Sequence, residues 1–159
     1  MVLLLRASLA TLVALPLLAA SSAAAPRAAD PCRPAVRDAV LPAWARTGFN
    51  DPRPRMRYAL GRDARIAALL FAFPLQAPAP KDHNNKILWV SRLPTAGRSD
   101  LVIRAQRMRG AAPVGKPVVQ RVAGAPGPSS VDVPVPGCWR VTLSWSGRVD
   151  SLDLRYARS

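Results

Sequence analysis

The chain has 159 residues, of which 23 are basic and 9 acidic, for a formal net charge of +14. Twenty of the basic residues are arginine and every acid is aspartate, so a Glu–Asp pair for glycoside hydrolysis is excluded. With no glutamate and 17 prolines, few windows can hold a helix, which argues against a helical domain.

Residues 1–25 open with a single charge, Arg6, and residues 7–25 carry none. The apolar centre lies at 9–20, and small residues follow at 21–25. That order predicts a secretory signal peptide and a protein that is secreted or associated with the cell envelope. Cleavage after Ala23 or Ala24 satisfies the small-x-small rule. About 135 residues would remain, enough for one domain with a core. An uncleaved N-terminal anchor is the alternative, weakened by Pro16 and by many Ala and Ser. A lipoprotein signal fits less well, because Ala29-Asp30-Pro31 is a poor cleavage box ahead of Cys32.

Residues 26–55 form a Pro/Arg-rich strap with six prolines and alternating Arg and Asp. A short helical turn is expected at 34–41, where Val36, Val40 and Leu41 share a side. Trp44 and Phe49 predict that this strap lies on the domain rather than hanging free, since linkers rarely carry aromatics.

Residues 56–159 read as a β-sandwich of about 7–8 strands split by turn residues. Strands are expected at 56–60, 65–73, 86–92, 101–108, 117–123, 131–135, 138–145 and 149–157, with a loop at 76–85 and turn chemistry at 124–130. Residues 65–73 (RIAALLFAF) and 86–92 (KILWVSR) are apolar on both faces, as central strands should be. The last two strands can be registered from the two-residue turn Ser146-Gly147. Leu143 then opposes Asp150, Thr142 Ser151, Val141 Leu152, Arg140 Asp153 and Trp139 Leu154. Each face is chemically consistent except at the Leu143–Asp150 tip. The Arg140–Asp153 pair reads as solvent-side and worth less than about 1 kcal/mol.

Cys32 and Cys138 are an even pair in an exported chain, which predicts one disulfide. It would close a loop of about 105 residues and contribute roughly 4 kcal/mol on the chain-entropy account. Trp139 and Val141 must face the core, so Cys138 and Arg140 face away from it. Its partner must therefore reach Cys138 from outside the sheet or around its end, which would pin the strap and let Trp44 and Phe49 cover an edge or mouth of the sandwich. Two free thiols are the alternative.

Residues 56–157 resemble an immunoglobulin-like or fibronectin-III-like sandwich. Trp89 sits where such folds often place a core Trp on the third strand, and Gly137-Cys138-Trp139 resembles the Gly-x-Tyr that opens the penultimate strand. Trp in place of the corner Tyr, and Val141 where antibody domains carry a cysteine, depart from the pattern. The segment is also similar to uncharacterised exported bacterial proteins carrying N-K-I-L-W-V and G-C-W-R-x-T. Neither resemblance implies an activity or a cofactor.

His83, the only histidine, has Asp82 beside it but no second His and no metal-ligand spacing, so 82–85 (DHNN) reads as a solvated loop. There is no G-x-S-x-G and no phosphate loop. No small-molecule substrate is identified. Arg104, Arg121, Arg140 and Arg155 would all point outward from strands, and Arg53, Arg55 and Arg57 alternate near the domain start. A GC-rich genome accounts for such arginine content as well as an anionic partner does. Nucleic acid is disfavoured by export and by the lack of an aromatic-interleaved platform. Anionic cell-wall polymer, lipid head groups or another envelope protein fit the compartment better. The expectation is a non-catalytic envelope-binding or structural module; the alternative is a secreted hydrolase or other enzyme with a site assembled from loops.

Overall fold

The computed structural model describes Cys32 and residues 36–82, 84–95, 97, 99–124 and 126–159. The leader expected at 1–25 and the loop histidine His83 lie outside the described residues. Ten strands form two sheets of five: β1 (Val36–Val40), β2 (Arg55–Leu60), β3 (Ile66–Leu70), β4 (Leu75–Ala77), β5 (Lys86–Ser91), β6 (Leu101–Arg109), β7 (Ala112–Val122), β8 (Pro128–Ser130), β9 (Gly137–Trp145) and β10 (Arg148–Arg158). The first sheet runs β1-β2-β3-β5-β8 and the second β4-β10-β9-β6-β7. Neighbours are antiparallel except the β4–β10 pair. The architecture is all-β and consistent with a β-sandwich.

The β9–β10 hairpin has the register that alternation from Ser146-Gly147 dictates, with Leu143 opposite Asp150 and Trp139 opposite Leu154. Both turn residues have positive φ, as a tight hairpin requires. The mismatch at Asp150 has a long-range cause. Its carboxylate is buried and accepts the backbone N–H groups of Asp63, Arg65 and Ser151 at 2.8–3.1 Å. The β2–β3 turn is thus clamped onto β10. Gly61 must be glycine there, because a Cβ would overlap the Asp150 carboxylate.

The main core lies between the sheets and is built on Trp89, Trp139, Trp145 and Tyr156. A buried indole or phenol needs a partner for its polar end. Trp89 Nε1 donates to Ser129 Oγ at 2.9 Å, Trp139 Nε1 to the Val135 carbonyl at 3.0 Å, and Trp145 Nε1 to Ser91 Oγ at 3.1 Å. Tyr156 donates to the Val131 carbonyl at 2.8 Å. A second, smaller core covers the outer face of the first sheet. There Leu41, Trp44, Ala45 and Phe49 pack on Tyr58, Ala67 and Leu69.

Several expectations are corrected. The helical turn expected at 34–41 is strand β1 over its described part. Val36 and Val40 are four apart and mimic a helix face, but the segment pairs along the edge with β2, with Asp38 opposite Arg57. The described residues of the strap from Val36 on lie on the domain, yet Trp44 and Phe49 cover a sheet face rather than an edge or mouth. Residues 131–135 do not form a strand. Val131 and Val133 are buried and Asp132 exposed, so the alternation is real, but the chain is crossing from the first sheet to the second; the ladder is made just before it by β8. The loop expected at 76–85 contains part of β4. Gln76 gives its N–H to Asn85 Oδ1 and accepts from Asn85 Nδ2, both at 2.8 Å, so a side chain does the work of a strand partner.

Candidate functional site

Strand alternation decides which residues share the outer face of the second sheet. Reading across the sheet, Arg121 is level with Val102, Ser144 and Val149, and Arg104 with Val119, Thr142 and Ser151. Arg140 is level with Gln106 and Asp153, and Arg155 with Cys138 and Met108. All four arginines singled out in the sequence therefore stand on one face, spread over four adjacent strands.

Their environments differ. Arg104, Arg121 and Arg155 are exposed. Arg121 Nη1 lies 3.2 Å from Asp100 Oδ2. Arg140 grips Asp153 through two bonds, Nε to Oδ1 at 2.9 Å and Nη2 to Oδ2 at 3.2 Å. Arg62, reaching over from the β2–β3 turn, adds a third at 3.0 Å. Asp153 is only 6% exposed. The hydrogen bond from Arg140 to Asp153 raises the guanidinium pKa above its ordinary value, burial opposes this, and the Asp153 charge adds to the rise. The solvent-side pair expected from the sequence is thus corrected to a buried carboxylate holding two guanidiniums. Charge-assisted bonds to such a group are worth more than an exposed pair.

Cys32 and Cys138 form a disulfide, with Cα atoms 5.7 Å apart and a sequence separation of 106. Cys32 Sγ lies 3.4 Å from the Leu154 carbonyl oxygen. Cys138 is on the Arg140 face of β9, so the strap is anchored on the second sheet before it enters the first as β1.

The polar run before β5 is not simply solvated. Asn85 is fully buried, and its Nδ2 also donates to Asp132 Oδ1 at 2.8 Å. No group of three or more His, Cys, Asp or Glu able to hold a metal occurs among the described residues. A groove of about 480 Å³ lies beside the strap, lined by Trp44, Thr47, Leu88, Val90 and Leu93. Of the hydroxyls that line it, that of Ser91 donates to the Leu93 carbonyl and accepts from Trp145, which makes it a tether rather than an activated nucleophile. No described helix is long and apolar enough to cross a membrane.

Sequence reasoning missed Arg62 and the exposed pair Phe71 and Phe73. The phenylalanines fall in the expected strand 65–73, whereas β3 stops at Leu70. The available signal was Pro74: the bend it belongs to already begins at Phe71. No protein-family model, curated protein or solved structure matches the chain.

Proposed function

We propose that the protein is an exported, non-catalytic binding module of the cell envelope, an immunoglobulin-like sandwich that holds an anionic wall polymer on the outer face of its second sheet. The observation that carries this reading is the gathering of Arg104, Arg121, Arg140 and Arg155 on that single face. Arg140 is fixed by Asp153, while the exposed Arg104 and Arg121 supply charge that a polyanion can approach. The disulfide is compatible with an extracellular location, which fits export by the leader.

Three features support the immunoglobulin-like likeness. The order β10-β9-β6-β7 runs like strands G, F, C and C′ of such domains, and β3-β5-β8 like A, B and E. The chain changes sheets between β8 and β9, as at the E–F corner. At that corner Trp139 donates to the carbonyl four residues upstream, the task of the usual corner tyrosine. Two features depart: β1 and β2 extend the first sheet beyond the A-like β3, and the core Trp sits elsewhere. Trp89 lies on β5, in the sheet opposite β9 and β10, not on the strand that carries the core Trp of antibody domains.

Binding to a polyphosphate and to a polycarboxylate, each titrated with salt, tests the polymer reading. Affinity should fall steeply between about 50 and 300 mM salt. The double variant R104S/R121S should weaken it severalfold while folding normally. Salt-independent binding, or binding indifferent to the double variant, would overturn this use of the face.

A further inference from the structure

Phe71 and Phe73 are 53% and 46% exposed, in the turn that carries the chain from the first sheet to the second. Packing does not require them there. Leu70 before them and Leu75 after them are buried, and those residues anchor the turn. Two phenyl rings in water at one turn are costly unless something covers them.

Each ring carries a cation. Arg57 Cζ lies 4.7 Å from the Phe73 ring centre, and Lys86 Nζ lies 5.5 Å from that of Phe71. Both rings border a single concavity with Arg55, Met56, Arg57 and Asp38. Asp38 is shared between Arg55, at 3.2 Å, and Arg57, at 3.8 Å. Two cations thus face one carboxylate, Lys86 adds a third positive charge at the Phe71 ring, and the patch keeps an excess of positive charge around two apolar rings.

We propose that this tip docks on an anionic phospholipid surface, with Phe71 and Phe73 entering the boundary of head groups and acyl chains and Arg55, Arg57 and Lys86 meeting the phosphates. Apolar rings rimmed by Arg and Lys have the chemistry of that boundary, where aromatic side chains partition and each nearby cation gains attraction to anionic lipid. The charge excess selects an anionic occupant. A fluid surface is favoured over a rigid acidic protein because one face of each ring is already taken by a cation. A rigid partner would have to be shaped around Arg57 and Lys86, whereas lipids adjust to them. The tip belongs to the first sheet and is separate from the arginine-bearing face of the second, so the inference stands independently of the polymer reading.

Vesicle binding by the full chain provides the test. Vesicles of phosphatidylcholine alone are compared with vesicles containing about one third phosphatidylglycerol. Wild type should bind the anionic vesicles about tenfold or more tightly than the neutral ones. F71S/F73S should lose most of that binding, and R57S/K86S should weaken it. Residues 1–31 are common to all these proteins, so the differences report the tip. In a second variant, F73W, the added emission should shift to the blue on anionic vesicles and be quenched by brominated acyl chains. Undiminished binding by a folded F71S/F73S, an F73W emission that vesicles leave unchanged, or equal binding to neutral vesicles would each overturn the proposal. Loss in F71S/F73S of binding to a soluble acidic polymer, with no vesicle binding in wild type, would overturn it in favour of a soluble partner.

Discussion

The outer faces of the two sheets follow opposite rules. That of the first sheet is apolar and covered: Leu41, Trp44, Ala45 and Phe49 seal Tyr58, Ala67 and Leu69 from water. That of the second carries Arg, Ser, Thr and Gln together with Val102, Val119 and Val149 of the same ladders. The contrast is written into β3 and β9, each of which has a hydrogen-bonded neighbour on both sides. β3 (IAALL) is buried at every position. β9 (GCWRVTLSW) alternates, with Trp139, Val141, Leu143 and Trp145 inward and Arg140, Thr142 and Ser144 outward. A central place in the sheet therefore does not explain an unbroken apolar run. The run reports a third layer on the far side, here the strap.

The interior shared by both sheets sets the upper limit of the comparison. Trp89→Ala should cost about 3–5 kcal/mol, measured by denaturant unfolding, because it opens a cavity and leaves Ser129 without its indole partner. A cost near that of a surface substitution would mean that the two sheets do not share one packed core.

Leu41→Ala tests the third layer directly. Leu41 precedes every strand of the expected sandwich, yet it is fully buried. The loss should be about 2–4 kcal/mol, close to that of an interior leucine. A loss under about 1 kcal/mol would reduce the strap to a loose cover and return the apolar run of β3 to an unexplained feature.

What the sequence made legible follows from the range of the interactions involved. The β9–β10 register depends on one tight turn and alternating side chains, all within 22 residues of the C-terminus, and residue order alone fixes it. The Cys32–Cys138 bond could be argued from parity and from which way Cys138 points. The role of Asp150 could not, because its partners Asp63 and Arg65 lie 87 and 85 residues away. Asn85 likewise pairs with a strand edge through its side chain, and no periodicity records that. Alternation showed that the four arginines point outward; that they share one sheet is a property of strand order.

On the exposed face, Arg140→Ala should cost about 2 kcal/mol by equilibrium unfolding, since it strips two charge-assisted bonds from the buried Asp153 and leaves only Arg62. Arg62→Ala should cost less, because it removes one bond from a more exposed donor. Equal and negligible costs would mean that Asp153 is better solvated than its burial implies.

The inner face of β10 makes its own prediction through Tyr156. Burial raises the phenol pKa above its ordinary value, and the charge of Asp132 adds to this. Below about pH 10 both folded and unfolded states hold the proton, so this group gives no pH dependence. Above about pH 10 the unfolded chain releases it first, and stability should fall with rising pH by about 1.4 kcal/mol per unit. Tyr156→Phe should be less stable at neutral pH, having lost the bond to Val131, but should show a shallower alkaline slope. Parallel slopes in the two proteins would assign the alkaline loss to other groups.

The smallest stability effect belongs to Arg104, and there the contrast between the two outer faces is sharpest. Arg104 is exposed in the middle of the second sheet, level with Thr142, and among the described residues it makes no ion pair. Nothing in the fold depends on its charge, so Arg104→Ser should leave the unfolding midpoint where it is. A residue that stability does not need can still be read by a ligand, and a polyanion laid across the face would meet this charge between Arg121 and Arg140. Arg104→Ser should therefore weaken polymer binding at low salt and flatten its salt dependence, while Leu41→Ala, at temperatures where it stays folded, should do neither. If the strap variant lost binding and the arginine variant kept it, the covered face, with the groove beside Trp44, would be the one that meets the ligand.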